Sequence, residues 1–251
     1  MSERADAFFV TRTMLALELL CFQTATAPEV ASALGVHPGT SRRLLNRLVT
    51  DGWLTRSGGY RRLYAPTMRV VAMAAHLAAR DPLALAAQPI VTTLHDETRG
   101  VAHLCIPSYR SALCLAHRAG GPDVGPQLRE LVPAHASAAG KILLAFRPPW
   151  RAGVLSEPLE ARTDRTIVDP ELVEREAQLA RERGYATEDE ELQTGVRGVA
   201  VPVWSRGEEV VAGLGVTAPV RQLPDAELEQ VVELLNARSR TLSDVLDAAG
   251  R

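Results

Sequence analysis

Between positions 38 and 50 the chain sets Thr40, Ser41, Arg42, Arg43, Asn46 and Arg47 among four apolar residues, Leu44, Leu45, Leu48 and Val49. At 100° per residue the apolar four fall within an arc of about 140°, which predicts an amphipathic helix. Gly39, Arg43, Asn46, Arg47 and Thr50 then point outward, Thr40 and Arg42 lie on the flanks, and Ser41 falls on the inward face. Arginine can pair with guanine acceptors in a major groove and asparagine with adenine, while further Arg and Ser/Thr groups hold phosphates. Three more arginines, Arg56, Arg61 and Arg62, flank a Ser57-Gly58-Gly59 tip that could lie along the adjacent backbone or minor groove. The chemistry on offer is recognition of double-stranded DNA. An ordinary solvated helix face can carry the same residue types, so the surrounding elements have to decide.

Those elements are legible. Apolar residues at helical spacing from Phe9 to Phe22 predict a first helix, and Pro28 to Leu34 a short second one, with Pro early and Gly35 just past its end. Val36 makes a corner, the amphipathic segment forms the third helix, and Asp51-Gly52 stops it. Trp53–Arg56 and Tyr60–Tyr64 alternate like a two-stranded hairpin. Helix, helix, corner, helix, hairpin is the order of a winged helix-turn-helix, expected in residues 1–66. An Ala-rich helix from Met68 to Arg80, within a linker over 67–81, is too apolar to stand alone. It pairs either with its copy in a second subunit or with its own C-terminal domain.

Residues 82–251 read as α+β. Helices are expected over Pro82–Glu97, His135–Ala145, Pro170 to just before Gly184, and Pro224–Ala248. Strands are expected over Val101–Pro107, Ala112–His117, Gly195–Trp204 and Glu209–Ala218, the last two joined by a Ser205–Glu208 turn. The pattern is an antiparallel sheet covered by helices, a sensor-like domain.

Charge supports the division. Residues 1–65 hold eight arginines against five acids, a net of +3, while the remainder holds 20 basic and 25 acidic residues, a net of −5. A basic front on an acidic body suits a chain in which one domain meets a polyanion. With 46% hydrophobic and 23% charged residues over 251 positions, and no low-complexity tract, disorder is excluded. The longest nearly uncharged apolar run, Val70–Ala79, is about half a membrane span. Acids at Glu3 and Asp6 argue against a secretory signal, so a cytoplasmic protein is expected. Cys21, Cys105 and Cys114 are too few and too uneven for a disulfide framework and read as reduced thiols.

His103, Cys105, Cys114 and His117 invite a metal reading. On strands 103 and 105 share a face, whereas 114 and 117 point to opposite faces, so the four cannot converge without a bulge, and no metal is expected. Nor does any Ser-His-Asp order, nucleophile elbow, phosphate loop or dinucleotide fingerprint appear, so neither catalysis nor a cofactor is expected.

Two segments carry a family resemblance. Leu131-Val132-Pro133-Ala134-His135-Ala136-Ser137-Ala138-Ala139-Gly140-Lys141-Ile142-Leu143-Leu144-Ala145 resembles the P-x-H-A-[ST]-x-x-G-K-x-x-L-A signature of IclR-type transcriptional regulators. Gly184-Tyr185-Ala186-Thr187-Glu188-Asp189-Glu190-Glu191, followed by Gly195 to Val203, is similar to that family's G-Y-x-x-D-D-E-E-x-x-x-G-x-R-C-x-A-x-P-V stretch. Together, behind a winged helix, they cover nearly the whole chain. The resemblance implies a linker helix, a GAF-like effector-binding domain over 82–251, and dimers or dimers of dimers on operator DNA. Where the family usually has an apolar residue early in the recognition helix, this chain has Ser41. Glu188 stands where Asp is frequent, Gly198 follows Arg197 in place of Cys, and Gly215 and Thr217 replace serines.

If the Ala138-Ala139-Gly140 turn faces the sheet as in the family, its amides and helix dipole offer a place for a carboxylate. Thr217, Glu188 or Asp189 would orient the ligand's polar end, with Leu131 and Val199 on the apolar side and Gly198 and Gly215 shaping the wall. Alternatively, Gly140 and the alanines simply allow close helix packing, and Lys141 is a surface or structural cation. The function so implied is a ligand-responsive regulator, a repressor, sensing a small organic, aromatic or carboxylic effector. An adaptor that binds other proteins, and an enzyme with an accessory winged helix, are the competing readings.

Overall fold

A proline suits the first position of a helix because its φ is already fixed and it has no N–H to leave unpaired. Pro38 opens a helix in this way, and the ring of His37 takes the next free donor, its Nδ1 accepting the Gly39 amide at 3.1 Å. The computed structural model describes residues 2–59, 61–120, 130–206 and 208–250. It divides the chain into two units, residues 1–79 and 80–251.

The first unit contains helices α1 (Ser2–Phe22), α2 (Ala27–Ala33) and α3 (Pro38–Thr50), strands β1 (Leu54–Arg56) and β2 (Tyr64–Pro66), and helix α4 (Met68–Ala78). Glu29 caps α2, one carboxylate oxygen accepting both the amide (2.7 Å) and the hydroxyl (2.8 Å) of Thr26. Gly35, at φ +59°, supplies the left-handed turn between α2 and α3. Ala16 and Leu20 of α1, Val30 of α2, Leu44, Leu45 and Leu48 of α3, Leu54 and Tyr64 make one core. Ser41 is buried in it, its hydroxyl donating to the Ala27 carbonyl at 2.8 Å. A directional polar contact therefore joins α3 to α2 on the inward face where Ser41 was placed. Ser41→Ala should lower the stability of this unit by about 1 kcal/mol, the net worth of one hydrogen bond, read as a shift in the urea midpoint. An unchanged midpoint would show that the bond contributes nothing.

The hairpin pairs Leu54 with Pro66 and Arg56 with Tyr64, so its second strand lies beyond the expected Tyr60–Tyr64 segment. The cause is Tyr64, which is buried and also bridges to Ala25, its amide donating to that carbonyl at 2.9 Å. Tyr60, read as the start of that strand, and Gly207, in the expected 205–208 turn, lie outside the described residues.

The second unit is a six-stranded antiparallel sheet with helices on both faces, the GAF-like α+β layering expected. Its elements are α5 (Pro82–Thr98), β3 (Val101–Ser108), β4 (Ser111–Arg118), β5 (Leu131–Pro133), α6 (Ala138–Phe146), α7 (Pro148–Leu155), α8 (Pro170–Arg183), β6 (Ala186–Asp189), β7 (Val196–Ser205), β8 (Glu209–Pro219) and α9 (Asp225–Ala248). Strand order is β5-β4-β3-β8-β7-β6. Strand alternation sorts the core: Val199, Val201 and Val203 face α5 and α9, while Ala200 joins the layer of α6 and α8. The expected helix 135–145 is broken. Residues 134–136 form a 3-10 turn, and α6 starts only after Ser137, whose hydroxyl accepts the Gly140 amide at 3.2 Å. Ala138 to Ala145 are all buried, so α6 is enclosed by sheet and helices. Among the described residues, no single helix is long and apolar enough to cross a membrane.

Candidate functional site

The apolar stripe of α3 fixes which side chains it leaves to solvent. Arg42, Arg43, Asn46 and Arg47 are exposed, Thr40 is half-buried, and Ser41 is turned inward. Ser41 is thus a packing residue, and its hydroxyl is not offered to a ligand at the surface. Arg47 pairs with Asp51 one turn on at 2.8 Å, an exposed contact of the kind that adds little to stability and is readily exchanged for a phosphate. Arg56, from β1, donates to Asn46 Oδ1 at 3.4 Å, and the Tyr64 hydroxyl lies equally close to the same oxygen, so helix and hairpin share one polar surface. Arg61 reaches back to Glu29 Oε1 at 2.5 Å. The Thr26 amide and hydroxyl, and after them Arg61, hold the Glu29 carboxyl below the usual carboxylate range. Arg62 is exposed.

Sequence reasoning missed an apolar groove of about 700 Å³ beside α3. Phe9, Val10, Met14 and Leu17 of α1 line it together with Leu48 and Trp53, and Arg43 and Arg47 stand at its rim. Phe9, Val10 and Met14 are exposed there, as are Met68, Val71, Met73 and Leu77 along α4.

The second unit gathers a buried polar cluster. Glu188, Gly198 and Thr217 are register partners on β6, β7 and β8, forming one row across the sheet on the face that carries α6. A Cβ built on Gly198 would stand 2.9 Å from Glu188 Cγ, 3.2 Å from Thr217 Oγ1 and 3.6 Å from Ala138 Cβ. The missing side chain at 198 therefore makes room for the extra methylene of Glu188. Glu188 is 2% exposed, its carboxyl shut away from solvent. Burial, then the charge of Glu191, pushes its pKa up to about 8 against the pull of Lys141 and of the Leu192 amide. Lys141 is buried as well and donates to Glu191 Oε1 at 2.5 Å and to the Thr187 carbonyl at 3.2 Å. Burial also raises Glu191, with Lys141 opposing.

Of the other residues expected at the effector site, Gly140 presses on the backbone of Ala134, and Ala139 on Gly213. Gly215 backs onto His103. Asp189 points away: one residue along β6 from Glu188, it pairs with Arg165 at 3.2 Å and Arg197 at 3.1 Å. Val199 belongs to the α5/α9 layer on the opposite face, and Leu131 sits half-buried on the edge strand β5. Lys141 is a structural cation, not a surface one. Its position between Ala138-Ala139-Gly140 and Ile142-Leu143-Leu144 was the available signal, since a lysine inside so apolar a stretch needs a buried counter-charge.

A bulge between Leu104 and Cys105 brings His103 opposite His117 and Cys105 opposite Cys114. Among the described residues, however, no group of three or more His, Cys, Asp or Glu side chains is arranged to hold a metal. Contact with Cys114 and burial raise the Cys105 thiol well above its ordinary pKa, and burial lowers His103 to about 4, so both are neutral.

Comparison with known proteins follows the same division. Residues 75–244 match the model of the bacterial transcriptional regulator IclR C-terminal domain. The Pca regulon regulatory protein of Pseudomonas putida is 29% identical over 86% of this chain and 76% of its own. A crystal structure of an IclR transcriptional regulator from Silicibacter sp. TM1040 shares the fold with a TM-score of 0.83 at 23% identity, covering 95% of this chain and 96% of that one. An IclR homologue from Microbacterium hydrocarbonoxydans, complexed with 4-hydroxybenzoate, superposes with a TM-score of 0.73 at 26% identity, over 96% of this chain and 99% of that one.

Proposed function

Because the chain belongs to the IclR family of bacterial transcriptional regulators, we propose that it is a cytoplasmic, effector-controlled repressor that reads operator DNA through residues 1–66. The outward face of α3 carries this reading: Arg42, Arg43, Asn46 and Arg47 stand together on a helix of the size a major groove admits, with Arg56, Arg61 and Arg62 of the hairpin toward the flanking backbone. Ser41 serves the placement of that helix, and Thr40 stands on its flank beside the reading face. Residues 67–81 form a linker helix. Its exposed Met68, Val71, Met73 and Leu77, with the α1 groove, suit pairing with a second copy, which would set two reading helices at half-site spacing.

Residues 82–251 bind the effector, a small organic acid. The amino end of α6 with Ala138, Glu188, Gly198 and Thr217 is the favoured place; Gly215 and the edge residue Leu131 lie farther off, and Val199 and Asp189 face away from it. The Microbacterium homologue's 4-hydroxybenzoate is an acid of this class. Effector binding controls DNA binding by favouring one arrangement of the paired winged helices over another.

The test is a mobility shift with the purified protein and its own upstream intergenic DNA, at about 150 mM salt with competitor DNA, because phosphate contacts alone bind without sequence preference and fade with salt. A discrete, competitor-resistant shift is expected. Arg43→Ala should weaken it about ten- to a hundredfold, the worth of one base contact. No specific shift there, together with none in a genomic DNA pull-down, would refute the regulator and favour the protein-binding adaptor.

A further inference from the structure

An asparagine pairs with adenine through both ends of its amide, Nδ2 donating to N7 while Oδ1 accepts from the N6 amino group. Asn46 has one of those ends committed. Its Oδ1 faces two donors of the hairpin, Arg56 Nη1 from β1 and the Tyr64 hydroxyl from β2, each at 3.4 Å. The two ends of an amide can often be exchanged, but here the chemistry decides between them. A guanidinium has donors and no acceptor, so the end that faces Arg56 is the oxygen.

Tyr64 is held in place more firmly than Arg56. Its ring is buried in the core with Leu44, Leu45 and Leu54. Its backbone exchanges hydrogen bonds with Ala25, the Tyr64 amide donating at 2.9 Å and the Ala25 amide returning one at 3.4 Å. The fold of the first unit itself therefore carries the phenol oxygen to Asn46. A buried tyrosine keeps a partner for its hydroxyl, and among the described residues Asn46 Oδ1 is that partner. The opposite end of the amide is different. Asn46 is exposed on α3, beside Arg43 one turn back and Arg47 next in sequence, and its Nδ2 makes no hydrogen bond among the described residues.

An amide so fixed offers the groove N–H donors and no acceptor. In the major groove guanine shows two adjacent acceptors, N7 and O6. Adenine sets an amino donor beside its N7, thymine a methyl beside its O4, and cytosine shows a donor alone. Guanine is the base that a donor-only side chain meets without leaving a polar group unpaired. We propose that Tyr64 and Arg56 hold Asn46 as a hydrogen-bond donor, so that it reads guanine in the operator instead of adenine, with Tyr64 as its positioning residue. This rests on the DNA-reading role of α3 proposed above. The hairpin then selects a base that it does not itself touch. A plainer use of the same bonds, in which Asn46 only satisfies the buried phenol, differs in outcome: Asn46→Ala would weaken every sequence alike instead of relaxing one position.

The experiment is selection by the full-length protein from a random-sequence library of duplexes of roughly 30 base pairs, three helical turns, at about 150 mM salt, with sequencing of the bound pool. The unaltered protein should prefer guanine about tenfold at a position where Asn46→Ala loses the preference, with the remaining positions unchanged. The double variant Tyr64→Phe, Arg56→Met keeps the ring in the core but frees Oδ1, and its preference at that position should move toward adenine. Preferences are ratios within one pool, so a uniform loss from removing the Arg56 charge cancels. In the selected duplex, 7-deazaguanine at that position lacks the N7 acceptor and should weaken the unaltered protein about fivefold while leaving Asn46→Ala unaffected.

Loss in Asn46→Ala of a preference for any base other than guanine overturns the inference. So does a uniform loss across all sequences, an unshifted preference in the double variant, or indifference of the unaltered protein to 7-deazaguanine. In each of those cases an enriched sequence still stands and with it the DNA-reading role. No enrichment of any sequence by the unaltered protein overturns both.

Discussion

Lys141→Ala should cost the C-terminal unit about 3–5 kcal/mol, because it strips the counter-charge from Glu191 while leaving that carboxylate buried. The side chains of Lys141 and Glu191 are both almost wholly enclosed, so water cannot replace the lost partner. The protein reports on this itself. Its three tryptophans are Trp53 in the first unit and Trp150 and Trp204 in the second, so a Trp53→Phe background makes fluorescence a probe of residues 80–251. Urea unfolding in that background should show the midpoint falling sharply for Lys141→Ala. The double variant Lys141→Met, Glu191→Leu should recover most of the loss, since replacing both charges removes the uncompensated one. A change under about 1 kcal/mol in the single variant would show that the pair is not what holds α6 against β6.

Gly140→Ala should be nearly as damaging, at about 3 kcal/mol, although alanine is the better helix former by about 1 kcal/mol. A Cβ there would lie 2.6 Å from Ala134 Cα and 2.7 Å from Ser137 Oγ, and a backbone atom cannot swing aside as a side chain would. α6 would have to move off the sheet, yet Gly213 holds its neighbour Ala139 there, a Cβ at 213 meeting Ala139 Cα at 3.0 Å. The same fluorescence assay decides it, and circular dichroism shows whether the variant folds at all. Unchanged stability would mean that the turn at residues 134–137 yields more easily than this packing suggests.

Much of this organisation was legible in the residues. The inward arc Leu44, Leu45, Leu48 leaves Arg43, Asn46 and Arg47 outside by geometry alone, and β7, β8, α5, α8 and α9 appear close to where alternation and helical spacing place them. The rest depended on register. Val199 and Asp189 stand next to true members of the Glu188–Gly198–Thr217 row, but strands alternate, and only the pairing of β6, β7 and β8 shows which neighbour turns inward. Short elements escaped for a related reason: β5 and β6, of three and four residues, are too brief to display a period, and α7 opens on Pro148-Pro149 with little apolar spacing of its own. Ser137 splits what reads as one helix because a hydroxyl that caps Gly140 holds its own backbone extended.

The bond from Ser41 to the Ala27 carbonyl bears on how such a protein could be given a new DNA preference. Transplanting a whole recognition helix from another regulator would bring an apolar side chain to position 41, lose the tie to α2, and rotate every grafted base-reading residue with it. Reprogramming should leave Ser41, Leu44, Leu45 and Leu48 in place as a chassis and vary only Arg42, Arg43, Asn46 and Arg47. The library is then four positions wide, and each member inherits the helix pose of the parent.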